Sequence, residues 1–196
     1  MEECKIFSGS ASKTLAEKVC SILGIQLSSL EIKVFSDGEK RFRVLDSVLD
    51  KDCIIFQSTS TPVDENYMEL FFIVDGLKRS GARSITLVMP YFGYQRQDHI
   101  FREGEAVSLE VIVKIIESLG VSKVISFDLH SIKIPELFKI PFSHLSALPI
   151  FAKEIEKLGL ENEKTCLVSP DMGGIRRIEQ MTSLTGLPFL TINAVS

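Results

Sequence analysis

An α/β fold with a doubly wound, mostly parallel sheet is the class this chain predicts, and three observations carry that prediction. Short apolar runs ("CIIF", "SITLVM", "KVISF") alternate with longer amphipathic runs of helical length. The short runs are nearly continuous and rich in Val, Ile and Phe, as strands buried on both faces must be. Glycines at 24, 81 and 120 follow the long runs, where helices end in a left-handed residue.

The elements follow in order. "CKIFSGS" reads as a strand, and Ser12 is placed to cap a helix through "KTLAEKVCSIL" that stops at Gly24. "EIKVFSDGEKRFRVLD" gives two extended pieces around the turn "SDGE". "CIIFQSTST" is a strand, and "ENYMELFFIVDGLKRSG" a helix stopped by Gly81. That helix is apolar nearly all round, which predicts cover beyond the sheet, from a second domain or a subunit contact. "SITLVMPYF" is the next strand, "AVSLEVIVKIIESLG" a helix capped by Ser108, and "KVISFDLH" another strand. After a looser stretch, "KIPELFKIPFSHLSALP", come the helix "IFAKEIEKLG", the strand "TCLVSPD", the helix "GIRRIEQMTSLTG" and a last strand "PFLTINAV". The expected organisation is a first domain over residues 1–147 and the start of a second α/β unit, incomplete at Ser196, over 148–196.

Composition limits the function classes. Of 196 residues, 45% are apolar and 24% charged, ordinary for a globular protein, and the net charge of −4 offers no broad basic field. Nucleic-acid binding is therefore not expected, and any anion site must be local. No apolar run approaches the roughly 18 residues of a membrane span, and no basic-then-apolar leader opens the chain. The four cysteines show no CxxC spacing; Cys53 and Cys166 open apolar runs and read as small core residues in a reducing, cytoplasmic compartment.

Ligands of open parallel sheets bind beyond the carboxyl ends of the strands. Four strands here end in polar residues: "QSTST", "PYFGYQRQDH", "FDLHS" and "SPDMGG". Together they bring Arg96, Asp98, His99, Asp128, His130 and Asp171 toward one edge. Carboxylates with an imidazole suit a divalent cation that holds phosphate oxygens, Mg²⁺ or Mn²⁺ rather than structural zinc. The "DMGG" turn could aim backbone N–H groups at an anion. Each group has a plainer reading too. His130 could cap backbone carbonyls, Arg96 could form a surface ion pair, and "FSDGE" could be a simple hairpin turn.

In order and spacing, "FSDGE", "QSTSTPVDENYMEL", "PYFGYQRQD", "FDLH" and "VSPDMGG" resemble the ribose-phosphate pyrophosphokinase (phosphoribosyl pyrophosphate synthetase) family, from about Lys5 to Asp171. The resemblance implies two phosphoribosyltransferase-type domains in tandem and active sites at subunit contacts, so a homo-oligomer of at least two chains is expected. It implies Mg²⁺-dependent transfer of the β,γ-diphosphoryl group of ATP to the 1-hydroxyl of ribose 5-phosphate, a step that rests on positioning and charge neutralisation. Carried over, it makes Phe35, Asp37, Gly38 and Glu39 an adenine-binding turn offered to a neighbouring subunit. Arg96 and Gln97 would contact ATP, with Arg96 on its phosphates. His130 and Asp171 would hold Mg²⁺ directly or through water, assisted by Asp128.

The chain also departs from the family pattern. "HIFREGEAVS" follows "YQRQD" where well-studied bacterial and animal enzymes are more basic and carry a proline; the "REGEAVS" form resembles archaeal-type members. The family's regulatory anion site and hexameric assembly are accordingly not carried over. The family's flexible catalytic loop, with its lysine and arginine, should begin where this chain reads "INAVS" and has neither. Its ribose-phosphate loop lies farther on. Two other readings stand beside the enzyme: a non-catalytic nucleotide-binding or regulatory homologue that assembles with a complete enzyme, and a generic α/β ligand-binding domain. Without those cationic groups and the acceptor's phosphate loop, the 196 residues alone are expected to form no detectable AMP from ATP and ribose 5-phosphate. Robust AMP release by the purified chain would show that the catalytic groups lie elsewhere.

Overall fold

The computed structural model describes residues 4–160 and 164–192. They fall into two compact units, Met1–Leu145 and Ser146–Ser196. In the first, β1 (Cys4–Ser8) leads through α1 (Lys13–Leu23) to a hairpin of β2 (Leu30–Val34) and β3 (Lys40–Val44). Next come β4 (Asp52–Phe56), α2 (Val63–Arg79), β5 (Ser84–Met89), α3 (Ser108–Ser118), β6 (Lys123–Phe127) and β7 (Phe142–Leu145). The main sheet has the order β1-β4-β5-β6-β7. Every neighbouring pair in it is parallel, so all five carboxyl ends share one edge.

Helices cover both faces. Leu70, Ile73 and Leu77 of α2 and Leu109, Val113 and Ile116 of α3 pack over Phe7, Ile55 and Leu87. Ala16 and Cys20 of α1 pack with Ile6, Phe56 and Val88 of the opposite face. Successive strand residues thus enter different cores, as the pleat dictates. Each fully buried aliphatic or aromatic side chain contributes roughly 1.5–3 kcal/mol.

The structure adds to or corrects several expectations. Cover for α2 comes from the chain's own hairpin: Leu30, Phe42 and Val44 pack against the main core, and the Phe42 and Phe72 rings lie 5.7 Å apart. Met68 and Phe72 still face outward. Ser12 stands at the N-cap of α1 without capping it; its Oγ accepts the Ser58 N–H at 2.8 Å instead. Ser108 is the first residue of α3 rather than its cap. The strands stop at Phe56 and Met89, short of "QSTST" and "PYF". β7, hidden in the stretch read as loose, is four residues long and directly follows Pro141; so short an apolar signal is masked by its flanks.

In the second unit, α4 (Leu148–Lys157), β8 (Leu167–Ser169), α5 (Ile175–Thr185) and β9 (Phe189–Thr191) form a β–α–β unit, with β8 and β9 parallel, preceded by α4. Its core is thin, with Met181 and Leu187 buried while Val168, Phe189 and Leu190 are exposed. Cys166, expected in a core, is exposed here because two strands present too little surface to cover it. Cys53 is buried as expected. Residues 193–196, where the family's lysine- and arginine-bearing loop is expected to begin, lie outside the described residues.

The ends of β4 and β5 are joined by buried polar contacts. Thr59 Oγ donates to the Tyr91 carbonyl at 3.0 Å and accepts the Gly93 N–H at 2.7 Å. The Tyr67 hydroxyl donates to the Gly93 carbonyl at 2.9 Å. A Cβ on Gly93 would come within 2.7 Å of the Thr59 carbonyl, 2.9 Å of Val63 Cγ1 and 3.1 Å of Tyr67 Cε2, so only glycine fits. Gly93→Ala is expected to destabilise the protein by about 1–3 kcal/mol and lower Tm by several degrees. An unchanged thermal unfolding curve would show that the loop yields without cost.

Candidate functional site

The edge where the five strands end sorts its polar residues by direction. Those after β4 turn inward. Gln57, Ser58 and Thr59 are buried, and Gln57 Oε1 accepts the Ala11 N–H at 3.2 Å. Glu69, on α2, is also buried and accepts from the Ser10 N–H and, at 2.9 Å, from its hydroxyl. "QSTST", read from sequence as part of a polar rim, therefore serves mainly to tie the β1–α1 connection to β4 and α2.

The loop after β5 turns outward at a defined point. Tyr94 has φ 61°, a left-handed conformation for a residue with a Cβ. It is held by its ring stacked on Tyr67 at 5.9 Å and by its hydroxyl donating to Asp64. That bond, reinforced by partial burial and the Asp64 charge, raises the Tyr94 pKa above the usual phenol value. Burial likewise raises Tyr67. The Tyr94 carbonyl accepts the Gln97 N–H at 2.8 Å, closing a turn with Gln95 and Arg96 at its corners. Gln95 is buried, whereas Arg96 and Gln97 are exposed. Beyond them Asp98 Oδ1 lies 2.6 Å from His99 Nδ1, the His99 and Phe101 rings are 3.9 Å apart, and Glu105 accepts the Phe101 and Arg102 N–H groups.

After β6, Asp128 has φ 41° and three consecutive N–H groups are each taken by a different acceptor. Asp128 N–H donates to the Leu145 carbonyl at 3.0 Å, Leu129 N–H to His144 Nε2 at 3.1 Å, and His130 N–H to Gln95 Oε1 at 2.7 Å. The histidine that caps backbone is thus His144, not His130, and the His130 side chain is exposed. Neither Gln95 nor His144 was singled out from sequence. The only available signal for Gln95 was its place in a loop dense with functional side chains.

Phe35, Asp37, Gly38 and Glu39 form the tip of the β2–β3 hairpin. Phe35 N–H donates to the Glu39 carbonyl at 2.8 Å and Gly38 N–H to the Phe35 carbonyl at 3.0 Å. Asp37 Oδ1 accepts the Glu39 N–H at 3.0 Å, and Gly38 supplies the positive φ of 90° that the tip needs. Phe35 is 41% exposed, unusual for so large an apolar side chain at a hairpin tip. Lys33 Nζ lies 5.4 Å from the centroid of its ring. The tip has hairpin-turn geometry and also displays an aromatic ring.

Asp171, expected at the end of a strand of the same sheet, instead follows β8 of the separate β8–β9 sheet in the second unit, because only the first five parallel strands pair into the main sheet. It caps a short 3₁₀ turn, accepting the Gly174 N–H at 3.1 Å. One of the N–H groups expected to face an anion is therefore taken by Asp171 itself. Among the described residues no cluster of three or more His, Cys, Asp or Glu side chains forms a metal cage. Mg²⁺ needs none: it keeps several waters and is held by one or two carboxylates together with substrate phosphates. Within the first unit, the Asp128 carboxylate and, through a water, the exposed His130 imidazole are donors of that kind; Asp171, in the second unit, is a carboxylate of the same kind.

Residues 4–120 match the family described as the N-terminal domain of ribose phosphate pyrophosphokinase. The chain is 39% identical over 191 residues to ribose-phosphate pyrophosphokinase 1 of Streptococcus pyogenes, covering 97% of this chain and 60% of that protein. It is 40% identical over 185 residues to the ribose-phosphate pyrophosphokinase of Thermotoga maritima, covering 94% and 59%. The crystal structure of phosphoribosylpyrophosphate synthetase from Mycobacterium smegmatis superposes with a TM-score of 0.91 at 30% identity, over 98% of this chain and 65% of that one. The chain thus spans about three-fifths of the length of the curated relatives it matches. With the phosphoribosyltransferase-type sheet and the ordered loops at its edge, these matches show that the chain belongs to the ribose-phosphate pyrophosphokinase family.

Proposed function

We propose that this chain supplies the ATP side of a ribose-phosphate diphosphokinase. In the reaction the 1-hydroxyl oxygen of ribose 5-phosphate bonds to the β-phosphorus of ATP as the α–β bridging bond breaks. AMP leaves, and phosphoribosyl pyrophosphate forms. The observation that carries this reading is the sorting of side chains at the sheet edge. Arg96, Gln97 and His130 are exposed on backbone held by the Tyr94–Gln97 turn and by the bond from His130 N–H to Gln95, while Gln95 and Gln57 beside them are buried.

Arg96 is a permanent cation with a planar fork suited to phosphate oxygens. Gln97 offers amide donors and an acceptor beside it. Mg²⁺, when bound, would neutralise the charge that gathers on the transferred diphosphoryl group. His130, with Asp128, would orient its waters, the family resemblance gives Asp171 of the second unit a metal-side role of its own, and this chain's own task is placement. Phe35 gives the adenine a stacking face, while Asp37, Gly38 and Glu39 supply polar groups on the same tip. A neighbouring subunit would receive that tip, and the exposed Met68 and Phe72 next to the hairpin favour such a contact. A cytoplasmic setting suits free thiols and these substrates.

Two measurements test this reading. In the complete enzyme, His130→Ala is expected to lower turnover and raise the Mg²⁺ requirement roughly 10–100-fold, with thermal stability unchanged because the imidazole is exposed. Wild-type activity at limiting Mg²⁺ would remove His130 from the site. Light scattering of the chain, of 21.9 kDa, should give at least the mass of a dimer. A monomer at every concentration would leave the Phe35 tip without a nucleotide to meet.

A further inference from the structure

We propose that Gln95 is a positioning residue that couples the nucleotide-contacting turn to the metal-side histidine, so that Arg96 and His130 act as one unit. The inference rests on the ATP and Mg²⁺ reading of this edge given above. Gln95 and Arg96 are the two corners of one tight turn. The bond from Gln97 N–H to the Tyr94 carbonyl puts Gln95 and Arg96 side by side, with Gln95 buried and Arg96 exposed. A backbone movement that displaces one displaces the other.

Gln95 reaches across to a different strand. Its Oε1 accepts the His130 N–H at 2.7 Å, a short contact from a residue only 7% exposed. The two preceding N–H groups are committed to β7, through the Leu145 carbonyl and the His144 ring. The third is the one whose partner comes from the Arg96 turn. Three bonds on successive residues leave the backbone at His130 little freedom, and that backbone sets where the imidazole is attached. The strand beneath is also tied to β5, since Ser126 Oγ donates to the Met89 carbonyl at 2.8 Å. A group that orders a metal-bound water must be held by such outer contacts to be effective. The amide suits the task because it is neutral across the working pH range and brings no charge of its own beside phosphates.

The test uses the full chain, with ATP and Mg²⁺ as probes and the Mg²⁺ concentration for half-maximal ATP binding as readout. Gln95→Met keeps length and volume but removes the strong acceptor. It is expected to raise that concentration roughly tenfold. His130→Ala should raise it comparably, and Gln95→Met added to His130→Ala should change it little further, because Gln95 acts through His130. A merely structural role would give the same additional loss in both backgrounds, and that additive result would overturn the proposal. So would an unchanged Mg²⁺ requirement in Gln95→Met. Wild-type chain that binds no ATP at any Mg²⁺ concentration would remove the functional reading itself, and with it anything for Gln95 to couple. Should Gln95→Met not fold, hydrogen exchange in the wild type decides. A protected His130 amide supports the coupling, and exchange at the unprotected rate overturns it.

Discussion

Thr59 lies where the ends of β4 and β5 run side by side, and one hydroxyl there serves two bonds. Its Oγ donates to the Tyr91 carbonyl and accepts from Gly93 N–H, while its backbone N–H also reaches Tyr91 at 2.9 Å. The side chain is fully buried, so water cannot replace either bond, and an unpaired group there would cost about 1–3 kcal/mol. The route of the next loop depends on this constraint. Gly93 is pinned against Thr59 and Tyr67, Tyr94 is stacked over Tyr67, and the turn that displays Arg96 begins at the Tyr94 carbonyl. The aromatic residues of "PYFGY" divide their work accordingly. Phe92 fills the core, Tyr94 fixes the turn, and Tyr91 remains partly exposed at its start.

Similar polar residues have opposite uses across this edge. A buried amide or hydroxyl needs partners inside, and Gln57, Asn66, Thr59 and Ser12 find them, Ser12 through the Ser58 backbone N–H; these bonds tie the β1–α1 connection and α2 to the segment after β4. Their bonds give rigidity. The exposed Arg96, Gln97 and His130 can then offer unspent hydrogen-bonding capacity from a scaffold that does not need to reorganise. Asp37 and Asp171 are intermediate cases. Each carboxylate accepts one local N–H that shapes its own turn and keeps its remaining acceptor capacity.

The hairpin illustrates a different balance. β2 and β3 form a two-stranded sheet that would be marginal alone. Phe42, Val44 and Leu30 stabilise it by packing against the core next to α2. The tip, five residues from Phe35 to Glu39, stays free of that packing and carries an exposed ring. The same element therefore covers a helix at its base and presents an aromatic face at its end.

Much of this was legible in the chain itself. The β–α alternation, the helices closed by Gly24 and Gly186, and the hairpin around "SDGE" are local matters, set by side-chain periodicity and by residues that tolerate positive φ. The polar loops after β4, β5 and β6 could be located in the same way, because parallel strands direct their carboxyl ends to one edge. What the sequence could not settle is which polar side chains turn in and which turn out. "QSTST" and "YQRQD" look alike as polar strings, yet Gln57 and Gln95 are buried while Arg96 and Gln97 are exposed. That choice depends on acceptors and donors far away in the chain, Ala11 for Gln57 and His130 for Gln95, which meet only when the strands pair. The role of His144, the cover of α2 by the hairpin, and the short strand β7 were decided in the same way. Each rests on contacts between distant segments, whose energy no local pattern records.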